Sequence, residues 1–67
     1  MIYYGITPKF CNVTRYAKEK DLQHIYDLIF SITQNNNDTE NAIKWCKGAT
    51  VGEKYNTNLL TIEIIDD

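Results

Sequence analysis

The stretch Leu59-Leu60-Thr61-Ile62-Glu63-Ile64-Ile65 is the clearest strand in the sequence and decides the fold class. Apolar and polar residues alternate along it, which is the period of a β-strand with one buried face. Thr61 and Glu63 fall on the opposite side from the apolar residues. The residues of this strand that are predicted to face the core are Leu60, Ile62 and Ile64.

The other end of the chain predicts a second strand. Met1–Thr7 is short, β-branched and aromatic, and it stops at Pro8, which cannot donate a hydrogen bond to a strand ladder. Residues 10–16 alternate imperfectly and indicate an edge-like strand after a turn near Pro8 and Lys9. The sheet is therefore expected to contain two or three strands.

Between these strands the apolar period becomes helical. From Lys18 to about Thr33 the spacing predicts an amphipathic helix, followed by a polar loop at 34–37. Asp38 or Thr39 offers an N-cap for a short helix over 39–47, and Gly48 is the expected left-handed cap at its end. The stripe of the long helix consists of Leu22, Ile25, Tyr26, Ile29 and Ile32.

These elements predict a small α+β domain. A two- to three-stranded antiparallel sheet, with its first and last strands paired, is packed by one long and one short helix. A chain of 67 residues has apolar surface for one core only, so residues 1–67 are expected to form a single domain with an acidic tail at 66–67. An exposed sheet edge is a template for pairing, so a homodimer formed through strands is a further expectation.

Composition excludes several classes of function. The net charge of −2 opposes non-specific binding to nucleic acid or to anionic membranes. No apolar run approaches the roughly 20 residues of a membrane-spanning helix, and Met1 is not followed by the features of a signal peptide. Cys11 and Cys46 belong to no C-x-x-C pair, which predicts free thiols without a metal site, and a single Cys11–Cys46 disulfide stays open as the alternative. A cytoplasmic protein is expected.

The residues give little indication of catalysis. His24 is the only histidine, and no nucleophile or metal ligand set lies beside it in sequence. The three glycines form no phosphate-binding loop. The sequence therefore predicts a protein that is not an enzyme and needs no cofactor. A thiol enzyme that pairs Cys46 with His24 in space stays open as an alternative.

Aromatic residues give the strongest indication of binding to another protein. Five tyrosines, two phenylalanines and one tryptophan are too many for the core of so small a chain, and Tyr and Trp are favoured at interface centres. Trp45 lies among lysines and Tyr55 lies in a polar segment. The predicted partner-binding residues are Trp45, Tyr55, Lys44, Lys47 and Lys54.

Nucleic-acid binding is the alternative. Aromatic rings stack on bases while cations follow phosphates, and both residue types are interleaved near the N-terminus. If residues 2–16 form a hairpin, half of these side chains would share one open face. The candidate residues are Tyr4, Lys9, Phe10, Arg15, Tyr16, Lys18 and Lys20.

The last third of the chain resembles small uncharacterised proteins of phages and mobile elements. The resemblance lies in Ala49-Thr50-Val51-Gly52-Glu53 followed by Thr61-Ile62-Glu63-Ile64-Ile65, in small size, and in a composition typical of AT-rich genomes. Some proteins of this character inhibit host defence systems, including CRISPR nucleases. The resemblance implies a phage or prophage accessory factor that binds a host protein in the bacterial cytoplasm and acts by surface occlusion.

Overall fold

The computed structural model describes residues 1–67 as one four-stranded sheet with two helices. All neighbouring strands are antiparallel, in the order β2-β1-β4-β3, which confirms the predicted α+β class and the pairing of the first and last strands. Neither of the two helices has the length and the apolar content of a membrane-spanning segment. The elements are β1 (Ile2–Pro8), β2 (Arg15–Lys18), α1 (Leu22–Thr33), α2 (Asn36–Gly48), β3 (Lys54–Asn56) and β4 (Leu60–Asp66).

The core lies between the helices and one face of the central strands. Tyr4 pairs with Ile64, and Ile6 pairs with Ile62, so that alternate side chains of β1 and β4 point the same way. All four are buried, and Ile25 and Ile29 of α1 pack in the same cluster. Burying a large apolar side chain contributes about 1.5–3 kcal/mol each, which makes this face the main source of stability. The predicted core residues of the last strand, Leu60, Ile62 and Ile64, are confirmed.

The second strand lies later in the chain than predicted. Residues 10–14 form a loop, and β2 begins only at Arg15. Its pairing with β1 extends from Tyr3 to Ile6 and places Ala17 opposite Tyr4, on the core side. Pro8 therefore lies beyond the end of β2, where its missing N–H interrupts no ladder.

The connection between α1 and α2 is shorter than the predicted polar loop at 34–37. Asn35 is the N-cap of α2 and its side chain accepts a hydrogen bond from the Asp38 amide at 3.0 Å. The cap predicted at Asp38 or Thr39 is wrong because Asn35 satisfies that amide three residues earlier. Gln34, at φ 52°, makes the turn between the helices. The buried Thr39 hydroxyl donates a hydrogen bond to the Asn35 carbonyl at 2.8 Å and so stabilises the connection between the two helices.

The second face of the sheet carries no helix and is called here the open face. The Tyr16 ring lies over Gly5, where a Cβ would be 3.3 Å from Tyr16 Cε1 and 3.2 Å from Ile65 Cδ1. Beside it the Thr7 and Thr14 hydroxyls share a hydrogen bond of 2.7 Å. By strand alternation this face also carries Tyr3, Lys18, Lys54, Thr61 and Glu63.

Candidate partner-binding surfaces

An apolar groove lies between the loop of residues 9–14 and helix α1. Its volume is about 300 Å³. The loop has no strand partner along its length, and its first residue is fixed by a hydrogen bond of 2.9 Å from the Lys9 amide to the Leu59 carbonyl. We call this the Phe10 groove; the lining residues that matter here are Pro8, Phe10, Val13, Arg15, Leu28 and Ile32.

On the loop side of the Phe10 groove, apolar side chains are exposed to solvent. Phe10 is 75% exposed and Val13 is 56% exposed, whereas Leu28 and Ile32 across the groove are half-buried. Single exposed apolar side chains are ordinary on protein surfaces, but a contiguous apolar patch with polar neighbours marks an interaction site. The groove combines a cavity with the most exposed aromatic ring in this molecule.

Arg15 supplies the only charged side chain in the lining of the Phe10 groove. It follows the loop directly, and its position on β2 turns it towards the helix side, as for Ala17 two residues later. The single ion pair of the protein joins the N-terminal amine to Asp66 at 3.2 Å, so no carboxylate of the chain neutralises Arg15. A guanidinium in this state is free to bind a carboxylate with two parallel hydrogen bonds.

A second cleft, of about 330 Å³, lies between the start of α2 and the turn that joins β3 to β4. Its floor is apolar, and Asp38 is its only charged lining residue. Asp38 has no cation within ion-pair distance. We call this the Asp38 cleft; its walls include Thr33, Tyr55, Thr57, Asn58 and Leu59.

The structure brings two of the predicted partner-binding residues together. The Trp45 and Tyr55 rings lie 5.2 Å apart between centroids, at 36°. Both are half-buried and pack against the core cluster, so much of their apolar area is already used within the chain. Lys54 points to the opposite side of the sheet from Tyr55 because side chains alternate along a strand. Lys44 and Lys47 are exposed on α2.

The residues proposed for nucleic-acid binding are divided among several parts of the molecule. Tyr4 is 5% exposed, and its hydroxyl donates to the Cys46 carbonyl at 3.3 Å. It therefore cannot stack on a base, and its expected place on an open face is wrong. Phe10 and Arg15 line the groove, whereas Tyr16 and Lys18 lie on the open face. Lys9 and Lys20 are exposed in connecting segments.

The two thiols have different surroundings. Cys46 is 4% exposed, and burial raises its pKa from 9.0 to about 11, so the thiol stays protonated at neutral pH. A protonated buried thiol is a poor nucleophile, and His24 lies on the exposed side of α1. This disfavours the paired thiol enzyme. Cys11 is free and exposed in the loop.

Sequence reasoning missed most of the lining of both clefts. Phe10 and Arg15 were selected for their residue types, but Val13, Leu28, Ile32, Asp38 and Leu59 were not. The available signal was Phe10 with Val13, two apolar residues in a segment that alternates too poorly for a strand. No family model, curated protein or solved structure matches the chain.

Proposed function

We propose that this protein is a non-enzymatic binding factor that receives a segment of a partner protein in the Phe10 groove. The observation that carries the proposal is an exposed aromatic ring over an apolar groove, with an unneutralised arginine at the same groove. Aromatic side chains and arginine are the residue types that most often dominate binding energy. The matching segment carries an apolar side chain with a carboxylate beside it.

The two side chains supply different parts of the binding energy. Truncating an aromatic anchor at an interface centre costs about 2 kcal/mol or more, which is roughly a 30-fold loss of affinity. Arg15 is exposed, and an exposed ion pair contributes up to about 1 kcal/mol, so loss of the Arg15 guanidinium is expected to weaken binding by about two- to fivefold. The apolar contact gives affinity, and the charge selects acidic segments over basic ones.

The resemblance to phage and mobile-element proteins extends the proposal to the class of partner. That class is a host defence protein, such as a CRISPR effector, which the bound factor inhibits by covering a working surface. Occlusion needs a stable contact and no chemical reaction.

The test is capture of a partner from lysates of an AT-rich bacterial host, with and without nuclease treatment. We expect one protein to be retained after nuclease treatment, and its capture to be lost with Phe10→Ala and weakened with Arg15→Gln. The matched controls are Tyr16→Ala and Lys18→Gln, which change an exposed ring and a cation of the same β2 strand but on the open face. Capture that disappears with the nucleic acid, or that Phe10→Ala leaves intact, contradicts the proposal.

A further inference from the structure

The Phe10 groove and the Asp38 cleft open at the same end of the molecule. Pro8 of the groove pairs with Leu60 of the cleft, at the point where β1 ends and β4 begins. On the helix side, consecutive residues of α1 divide the two, since Ile32 lines the groove and Thr33 lines the cleft. The groove and the cleft are therefore neighbours, separated only by the end of α1 and by the paired residues Pro8 and Leu60.

The charges of the two depressions are opposite. Arg15 is the only charged residue that lines the groove, and Asp38 is the only one that lines the cleft. Neither has an ion-pair partner within the chain. Leu59, 40% exposed, adds a second apolar side chain at the cleft. This end of the molecule thus presents two neighbouring apolar depressions, one lined by an unpaired cation and the other by an unpaired anion.

We infer that the partner segment lies across both depressions in an extended conformation, with a carboxylate at Arg15, an apolar side chain in each depression, and a lysine or arginine at Asp38. This inference rests on the proposed function and specifies the chemistry of its partner. The groove lies at the ends of β1 and β2 and the cleft at the ends of β4 and β3, so the two depressions are about two strand spacings, roughly 10 Å, apart. About three extended residues, at about 3.3 Å per residue, cover that distance.

The occupant is tested with a library of random peptides displayed on a carrier and selected on the full-length protein. The expected selected sequences contain two apolar residues about three positions apart, together with an acidic residue and a basic residue. Asp38→Lys is expected to change the selected basic residue to an acidic one, because the charge in the cleft is reversed. Asp38→Asn should weaken binding of the wild-type-selected peptide by about two- to fivefold, as for an exposed ion pair.

Glu40→Lys is the matched control, since Glu40 is an exposed acid on the same helix but lines neither depression. It should leave the selected sequences unchanged. Thermal unfolding of each variant shows whether it is folded; Asp38→Asn keeps the helix-capping amide bond to Asn35 and serves if Asp38→Lys does not fold.

The possible results distinguish failure of this inference from failure of the proposed function. If the selected peptides depend on Phe10 and Arg15 but carry no basic residue and ignore Asp38→Lys, the segment ends in the groove and only the inference fails. If no selected peptide depends on Phe10, both fail. If sedimentation shows a dimer that Phe10→Ala dissociates, the occupant is a second copy, held by Arg15 against Asp38, and the heterologous segment is excluded.

Discussion

At the scale of single residues, the buried Cys46 thiol makes the free energy of unfolding depend on pH. Burial raises its pKa from 9.0 to about 11, and the pKa of Tyr4 is raised from 10.0, chiefly by burial and further by Cys46 and Glu19. The unfolded chain releases these protons at lower pH than the folded chain does. Above pH 9 the unfolded state therefore binds fewer protons, and the free energy of unfolding falls as pH rises.

We predict that urea denaturation shows stability falling between about pH 9 and pH 11, and that Cys46→Ala makes this decline shallower. The change in slope is the readout, because the alanine also removes buried volume. Cys11→Ala is the control, since that thiol is exposed and its substitution should leave the decline unchanged. Equal slopes for the two variants would show that Cys46 is not protected in the folded state.

At the scale of elements, the left-handed glycine near the end of α2 is Gly52 and not the predicted Gly48. The left-handed cap predicted at Gly48 is wrong, because Gly48 is the last residue of α2 and the cap residue Ala49 that follows it is extended. No atom lies within 4 Å of a Cβ built on Gly48. The left-handed glycine is Gly52, at φ 94°, in the turn before β3.

We predict opposite effects for two alanine substitutions at these positions. Gly48→Ala should stabilise the protein by up to about 1 kcal/mol, because alanine loses less backbone entropy in a helix. Gly52→Ala should destabilise it by about 1–2 kcal/mol, because a Cβ is strained at positive φ. Urea denaturation midpoints of the two variants measure this. Destabilisation by Gly48→Ala would mean that the helix ends before residue 48.

The elements that sequence predicts well are those whose pattern repeats. The alternation in β4 extends over several residues and is confirmed. The helical stripe of α1 is confirmed at Ile25 and Ile29, but the predicted start at Lys18 is wrong, because Lys18 pairs with Tyr3 in β2 and α1 begins at the exposed Leu22. β3 was missed because three residues, Lys54 to Asn56, are too few to show a period and two of them are polar. Its position comes from pairing with β4, which is a tertiary contact. The start of α2 was misplaced because several neighbouring residues are competent N-caps.

At the scale of the whole molecule, the candidate surface depends on which elements the fold brings together. Phe10 and Arg15 are visible in sequence as an aromatic ring and a cation. Their shared groove requires the loop to contact Leu28 and Ile32 of α1, and no local sequence pattern encodes that contact.

The two edge strands of the sheet are short, and each contains a lysine: β2 has four residues and β3 has three. Short, charged edges oppose pairing between chains.

The distribution of cations leads to a prediction about nucleic acid. By strand alternation the open face holds Lys18 next to the exposed Tyr16 on β2, and Lys54 on the opposite edge strand β3, where it pairs with Glu63. Two phosphate contacts on a single strand give a slope of about −1.4 in log affinity against log salt, at about −0.7 per contact. A site that neutralises six phosphates would give about −4.

We therefore predict that labelled single-stranded DNA binds weakly in fluorescence anisotropy and with a salt slope no steeper than about −1.4. Tyr16→Ala and Lys18→Gln should remove this residual binding, and Phe10→Ala should not, because Phe10 belongs to the groove. A slope near −4 that Arg15→Gln and Lys18→Gln both reduce would mean that one bound strand contacts the groove and the open face together. In that case the separation of the basic residues on two surfaces would not prevent nucleic-acid binding. It would then no longer favour the protein-binding proposal over the nucleic-acid alternative.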